Sequence, residues 1–190
     1  MRIVIPFILL IFIFSCSSSK HEPKVVSKHS GAFNTSVQNA MDQYHSLTEA
    51  FVNWDSNAVV SKSKGVETSL DSIKLDEFSP EVRQTANNSL DLAKKDLQQM
   101  GADNSIVDKR HGLNSLTQNL YDFLRAVEYD EKKVYLNECP IAFNDTDPGD
   151  WLSTTDSIRN PYLGLHHPRY GKGMIDCGST KSTIDFTKSK

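Results

Sequence analysis

Cysteine is scarce here: three stand in 190 residues, Cys16, Cys139 and Cys177, and none lies in a Cys-x-x-Cys pair, so spacing alone assembles no metal site. Charge of one sign is also lacking. Lys and Arg number 21 against 24 Asp and Glu, a net charge of −3, which leaves no basic footprint for nucleic acid. There is no Gly-x-Ser-x-Gly, no His-Glu-x-x-His and no phosphate-binding glycine loop, so none of these routes to catalysis is open. No repeat of about 20 to 50 residues points to a solenoid. The longest apolar run, Ile3 to Phe14, falls short of the about 20 residues that a permanent membrane-spanning helix needs.

That run follows Arg2 and leads directly into Ile13-Phe14-Ser15-Cys16, so residues 1–15 read as a secretion signal rather than as part of the fold. The tetrapeptide resembles the bacterial lipobox. It predicts cleavage before Cys16 and lipidation of that thiol, which would hold the protein to a membrane without spanning it. Loss of Arg2 would leave 20 basic against 24 acidic side chains. The expected location is the bacterial cell envelope, periplasmic or outer-membrane, where disulfides can form. With Cys16 consumed, Cys139 and Cys177 are left as a pair. Residues 16–33 are polar, lack periodicity and read as a flexible tether in which His21 and His29 belong to a solvated arm, with metal capture as the alternative.

Residues 34–190 then form one domain. Val37, Met41, Tyr44, Leu47, Phe51 and Trp54 recur at steps of three and four, the stripe of an amphipathic helix. A second helix follows Asp55, with Ala58, Val59, Val66, Leu70 and Ile73 on a weaker stripe. Ser79-Pro80 opens a third that carries Val82 to Met100 and stops at Gly101, and a fourth runs from about Asp103 to Glu128 through Leu113, Leu116, Leu120 and Leu124. Short connections favour a mainly α fold, a four-helix antiparallel bundle over 34–128. Residues 129–190 read as a small irregular α+β appendage: a strand through VYLNECPIAF, a turn at NDTDPGD, a long loop from Asn160 to Gly173, and a last strand at STIDF.

The appendage holds Cys139, Cys177, Met174, His166 and His167. Thiolate, thioether and imidazole select Cu(I) and other soft ions, and two Cys with His also suit tetrahedral zinc. A disulfide is the other reading of the cysteines in an exported protein. The sulfur separation discriminates: about 2.0 Å for a bond, about 3.5 to 4 Å with Met174 or a His converging for two thiolates sharing an ion. Met174 otherwise reads as core filler, His166 and His167 as exposed loop residues, and His111 as a helix-surface histidine. A Cys139–His167 dyad lacks an orienting third group, so the chain reads as a non-enzyme.

The words Cys139-Pro140, Trp151-Leu152-Ser153, Asn160-Pro161-Tyr162, Gly164 and Met174-x-x-Cys177-Gly178 resemble a bacterial family of unknown function, number 3347. Its members are exported lipoproteins or are appended to periplasmic adaptor subunits of heavy-metal efflux systems. The likeness extends from about Asn34 to Phe186, with its specific words confined to Tyr135 through Gly178. It implies a metal-handling role, copper foremost and zinc as the alternative, with efflux components as partners. Ile141 stands where the family commonly has Met after Cys-Pro, so one thioether is absent, and a longer loop between Gly164 and Met174 adds His166 and His167. The competing expectation is a noncatalytic envelope interaction module with a structural Cys139–Cys177 disulfide.

Overall fold

The computed structural model describes residues 26–187; the signal segment 1–15, Cys16 and His21 lie outside the described residues. Four helices come first: α1 (Gly31–Val52), α2 (Ser56–Asp71), α3 (Pro80–Ala102) and α4 (Ile106–Ala126). Three strands follow: β1 (Val134–Phe143), β2 (Asp147–Ser153) and β3 (Ser179–Ile184). Among the described residues no helix is long and apolar enough to cross a membrane.

Each helix starts where a side-chain oxygen can accept an orphan amide. Ser30 takes Phe33 N–H at 3.2 Å, Asp55 takes Ala58 N–H at 2.9 Å, Ser79 takes Val82 N–H at 3.4 Å and Ser105 takes Asp108 N–H at 3.1 Å. Pro80 sits in the first turn of α3, where its missing N–H costs nothing. The ends are less conventional. α1 and α4 both finish in a left-handed residue that is not glycine, Trp54 at φ 58° and Glu128 at φ 49°. Trp54 N–H returns to Phe51 O and Asp55 N–H to Ala50 O, while Glu128 N–H returns to Arg125 O and Tyr129 N–H to Leu124 O. Both ends thus satisfy their last carbonyls in the pattern that glycine ordinarily serves, at a conformational cost of about 1 to 2 kcal/mol each.

The apolar stripes meet in one core. Tyr44, Leu47, Phe51, Val66, Leu97, Met100, Leu116 and Leu120 are all buried in it, joined by Leu136, Trp151 and Leu152 from the sheet. α1 packs on α2, α2 on α3, α3 on α4, and β2 lies against α4. Tyr44 fastens three elements: its hydroxyl shares a 2.7 Å hydrogen bond with Thr117 of α4 and accepts Leu152 N–H of β2 at 3.2 Å. Burial pushes its pKa up to about 12, so the phenol stays neutral.

The sheet is antiparallel, in the order β2-β1-β3. Several details depart from the sequence reading. Asp147-Pro148-Gly149-Asp150 belongs to β2 rather than to a turn; the reversal is confined to residues 144–146, with Asn144 and Asp145 at positive φ, and Pro148 is tolerated because β2 is an edge strand. An alternation of Val134 and Leu136 against Tyr135 and Asn137 would turn Asn137 outward, yet it is buried, where the pairing with β3 shifts register between Leu136 and Asn137. Ile73 is buried beyond the end of α2, and α3 runs through Gly101 to Ala102. The helix α1 begins at Gly31, inside the span read as tether. The residues before it are docked: Lys28 N–H donates to Asp130 at 2.9 Å, and His29 packs on Phe33 and Phe78 with its ring nitrogens near Glu77 and the Glu128 carbonyl.

Candidate functional site

Cys139 lies on central strand β1, opposite Gly149 of β2, with no exposed surface. Cys177 arrives from the far end of the long loop, where its N–H donates to Met174 O at 3.1 Å in a tight turn. Asn160 holds that turn in place. Its side-chain N–H donates to Cys177 O at 2.8 Å, its side-chain oxygen accepts Tyr162 N–H at 2.7 Å and Leu163 N–H at 3.0 Å, and its backbone N–H donates to Ile175 O at 2.8 Å. Every polar group of this fully buried residue therefore closes the loop on itself.

Gly178 completes the approach. It sits at φ 135°, and a Cβ there would lie 2.7 Å from Glu138 O and 2.8 Å from the Trp151 ring. Only glycine lets the chain run this close to β1 before Ser179 pairs with Glu138. Gly178→Ala should therefore displace Cys177 from Cys139 and destabilise the domain by about 1 to 3 kcal/mol. Slower disulfide formation by a mild oxidant would register the displacement, and wild-type rates with wild-type stability would refute the role given to this glycine.

The result is two free cysteines with sulfurs 3.8 Å apart, joined across 38 residues of sequence. The Cys177 thiol is pushed up to about 11, first by burial, then by negative charge on Cys139, their hydrogen bond and Asp176. Met174 is half-buried against the core at the start of the same turn.

The histidines are elsewhere engaged. His166 is exposed. His167 lies between Trp54 and Tyr170, at ring separations of 5.0 Å from each, and its Nδ1 accepts Arg169 N–H at 3.1 Å and Tyr170 N–H at 3.3 Å. Burial, then the Arg110 cation, lower its pKa. Among the described residues no group of three or more His, Cys, Asp or Glu side chains could hold a metal ion. The structure thus joins Cys139 to Cys177, keeps Met174 on the same turn and does not gather His166 or His167 with them. His111 is exposed and stacks on Phe143 at 4.1 Å.

One neighbour was not among the expected site residues. Arg110 of α4 is buried, donates to Ala142 O of β1 at 2.8 Å, and lies over the rings of Trp54 at 4.9 Å and Phe143 at 5.9 Å. Burial brings its pKa down to about 10. A signal was present, since Arg110 falls on the apolar stripe of Ile106, Leu113, Thr117 and Leu120 rather than on the outer face.

Residues 40–132 match the family model described as "Protein of unknown function (DUF3347)". The match covers most of α1 and the other helices and stops before β1, so it falls outside the sulfur-bearing segment. No curated protein and no solved structure matches the chain.

Proposed function

We propose that this chain, which belongs through residues 40–132 to the DUF3347 family, binds or relays a soft heavy-metal ion at Cys139 and Cys177 in the bacterial cell envelope. Copper(I) is the ion that the donor set favours, with zinc the alternative. The helices, taken as an antiparallel bundle on their short connections, are the scaffold, and lipid on Cys16 is the anchor. Heavy-metal efflux components are the partners this reading names, and the role is noncatalytic.

The observation that carries it is the 3.8 Å separation of two unbonded sulfurs. At metal–sulfur bonds of about 2.3 Å, two thiolates stand about 3.8 Å apart around a tetrahedral ion and about 4.0 Å apart around a trigonal one. The pair can therefore take an ion with little backbone movement. Met174, the first residue of the four-residue turn that ends at Cys177, is the neutral third sulfur of this reading, suited to a soft monovalent ion. The same sulfurs would have to close by nearly half to form a disulfide, whose bond is about 2.05 Å. An interaction module with a structural disulfide is the competing reading, favoured because no third anionic or imidazole ligand is gathered at the sulfurs among the described residues.

Titration of the reduced protein with Cu(I) against a chromophoric chelator tests the claim. One equivalent should bind, and alkylation of the thiols should abolish uptake; equal uptake by alkylated protein would sink the site. The pH dependence has a defined sign. With the Cys177 thiol at about 11, metal must displace a proton at neutral pH, so affinity should rise at least about tenfold per unit between pH 6 and 8. A flat profile means that Cys177 is not a ligand.

A further inference from the structure

We infer that the anchored chain stands on the end of the fold where α1 begins, so that the sulfur site faces away from the lipid and exchanges its ion with a protein that presents thiol, thioether or imidazole donors from the aqueous side. The inference rests on the lipid anchor and the metal site of the reading above, and adds to them an orientation and a docking face.

The residues ahead of α1 are fastened one after another. The Ser27 hydroxyl donates to Asp130 and accepts His29 N–H at 3.0 Å, Lys28 N–H donates to Asp130 at 2.9 Å while its ammonium pairs with Glu128, and Ser30 N–H donates to Glu77 at 3.2 Å. The His29 side chain is 6% exposed, seated on the Phe33 and Phe78 rings at 5.1 and 5.3 Å, with Nδ1 3.3 Å from Glu77 Oε1 and Nε2 3.2 Å from Glu128 O. The chain is thus clamped to the α2–α3 and α4–β1 connections. At Val26, 77% exposed, it leaves the surface.

The sulfur site belongs to the other end of α1. Val52 O, in the last turn, accepts Leu165 N–H at 2.7 Å, and a Cβ on Gly164 would lie 2.5 Å from the same oxygen. Gly164 N–H donates to Asn160 O at 3.1 Å, and the Asn160 side chain donates to Cys177 O at 2.8 Å. Three hydrogen bonds therefore connect the end of α1 to the turn that carries Cys177. That thiol is partly exposed, with Asp176 and Ser179 exposed on either side. The 22 residues of α1, at about 1.5 Å each, put the clamp and the loop about 33 Å apart.

Ten residues, 17–26, lie between Cys16 and the first clamped residue. Whatever path they take, they span at most about 33 to 36 Å. Turning the sulfur end toward the lipid would lift the clamp by the length of α1, about 33 Å, and use up that span entirely. Turning the clamp toward the lipid uses none of it. A fully stretched chain gives up the conformational freedom of every residue in it, so the second arrangement is favoured. An ion then reaches or leaves Cys177 about one helix length above the bilayer, out of reach of donors at its surface.

The test uses the full lipidated chain in vesicles, with a genetically encoded fluorophore at Glu81 or at Lys172 and an energy-transfer acceptor on the lipid headgroups. Both positions are exposed, or border exposed residues, at opposite ends: Glu81 in the first turn of α3 beside the clamp, Lys172 on the long loop. The label at Lys172 should stand farther from the lipid, by up to about 33 Å. A long Gly/Ser spacer inserted between Ser19 and Lys20 should erase the difference, because the span no longer limits the fold. Equal heights with the native span, a loop label nearer the lipid, or a difference that survives the spacer overturns the inference. The docking face is read by loading with Cu(I). Reduced protein on vesicles should take the ion from a soluble chelator-bearing protein as fast as Cys16→Ser does in solution, and more slowly from a chelator carried on a lipid headgroup; loading from the lipid that is as fast or faster overturns the face. The failures separate. A chain that does not stay with the vesicles overturns the lipid anchor and this inference together, whereas a vesicle-bound chain that takes no Cu(I) overturns the metal site and its exchange partner while the two heights still decide the orientation.

Discussion

Cys139→Ser should lower the Cu(I) affinity of the reduced protein by on the order of 100-fold or more. The estimate follows from structural zinc sites, where about 10 to 16 kcal/mol is shared among four ligands, so that each is worth about two to three decades in affinity. A serine hydroxyl does not replace a thiolate for a soft ion. Cys177→Ser should cost a comparable amount, because the two sulfurs stand 3.8 Å apart and neither can serve the ion alone at that distance. Met174→Leu should cost less, since a thioether donates without charge. The disulfide reading gives a different pattern: both Cys variants would lose stability, by roughly 3 to 4 kcal/mol for a loop of this length, with no change in metal uptake. Equal Cu(I) binding by wild type and the double variant would remove metal from the account and leave the interaction module.

The second large effect concerns the scaffold. Leu120 of α4 is 3% exposed and lies in the common core. Leu120→Ala removes buried methyl groups and leaves a cavity that rigid helices on either side only partly collapse, so unfolding free energy should fall by about 2 to 5 kcal/mol. Denaturant melts read this as a lower midpoint at constant slope. A change below about 0.5 kcal/mol would be the behaviour of a surface position.

The helices were legible because period and caps agreed. Asp55 and Ser79 cap the helices assigned to them, and the stripes through Leu47 and Leu120 are buried. The ends at Trp54 and Glu128 were not legible, since left-handed termini announce themselves through glycine and here do not. β2 was hidden because Asp147-Pro148-Gly149 is turn chemistry in local terms, and only its place at the sheet edge makes it a strand. At the site, the meeting of Cys139 and Cys177 was expected from their positions in the appendage. The histidines could not be placed the same way: whether His167 joins sulfur or lies between Trp54 and Tyr170 depends on a loop path that no short-range pattern encodes. Arg110 was passed over because a charged residue on a helix is read as solvated unless its stripe is followed, and the neighbouring Lys109, also buried, needed the same attention.

Asn160 fastens the beginning and the end of the long loop to each other, with bonds to Tyr162 and Leu163 on one side and to Ile175 and Cys177 on the other. The path length between those ends is consequently decoupled from the position of the thiol. Doubling a flexible loop adds only about 0.6 kcal/mol of closure entropy. The exposed stretch that carries His166, Pro168 and Arg169 can thus be extended, shortened or recomposed, while the distance between the sulfurs is held at the neck by Asn160 and by the close approach of Gly178 to β1.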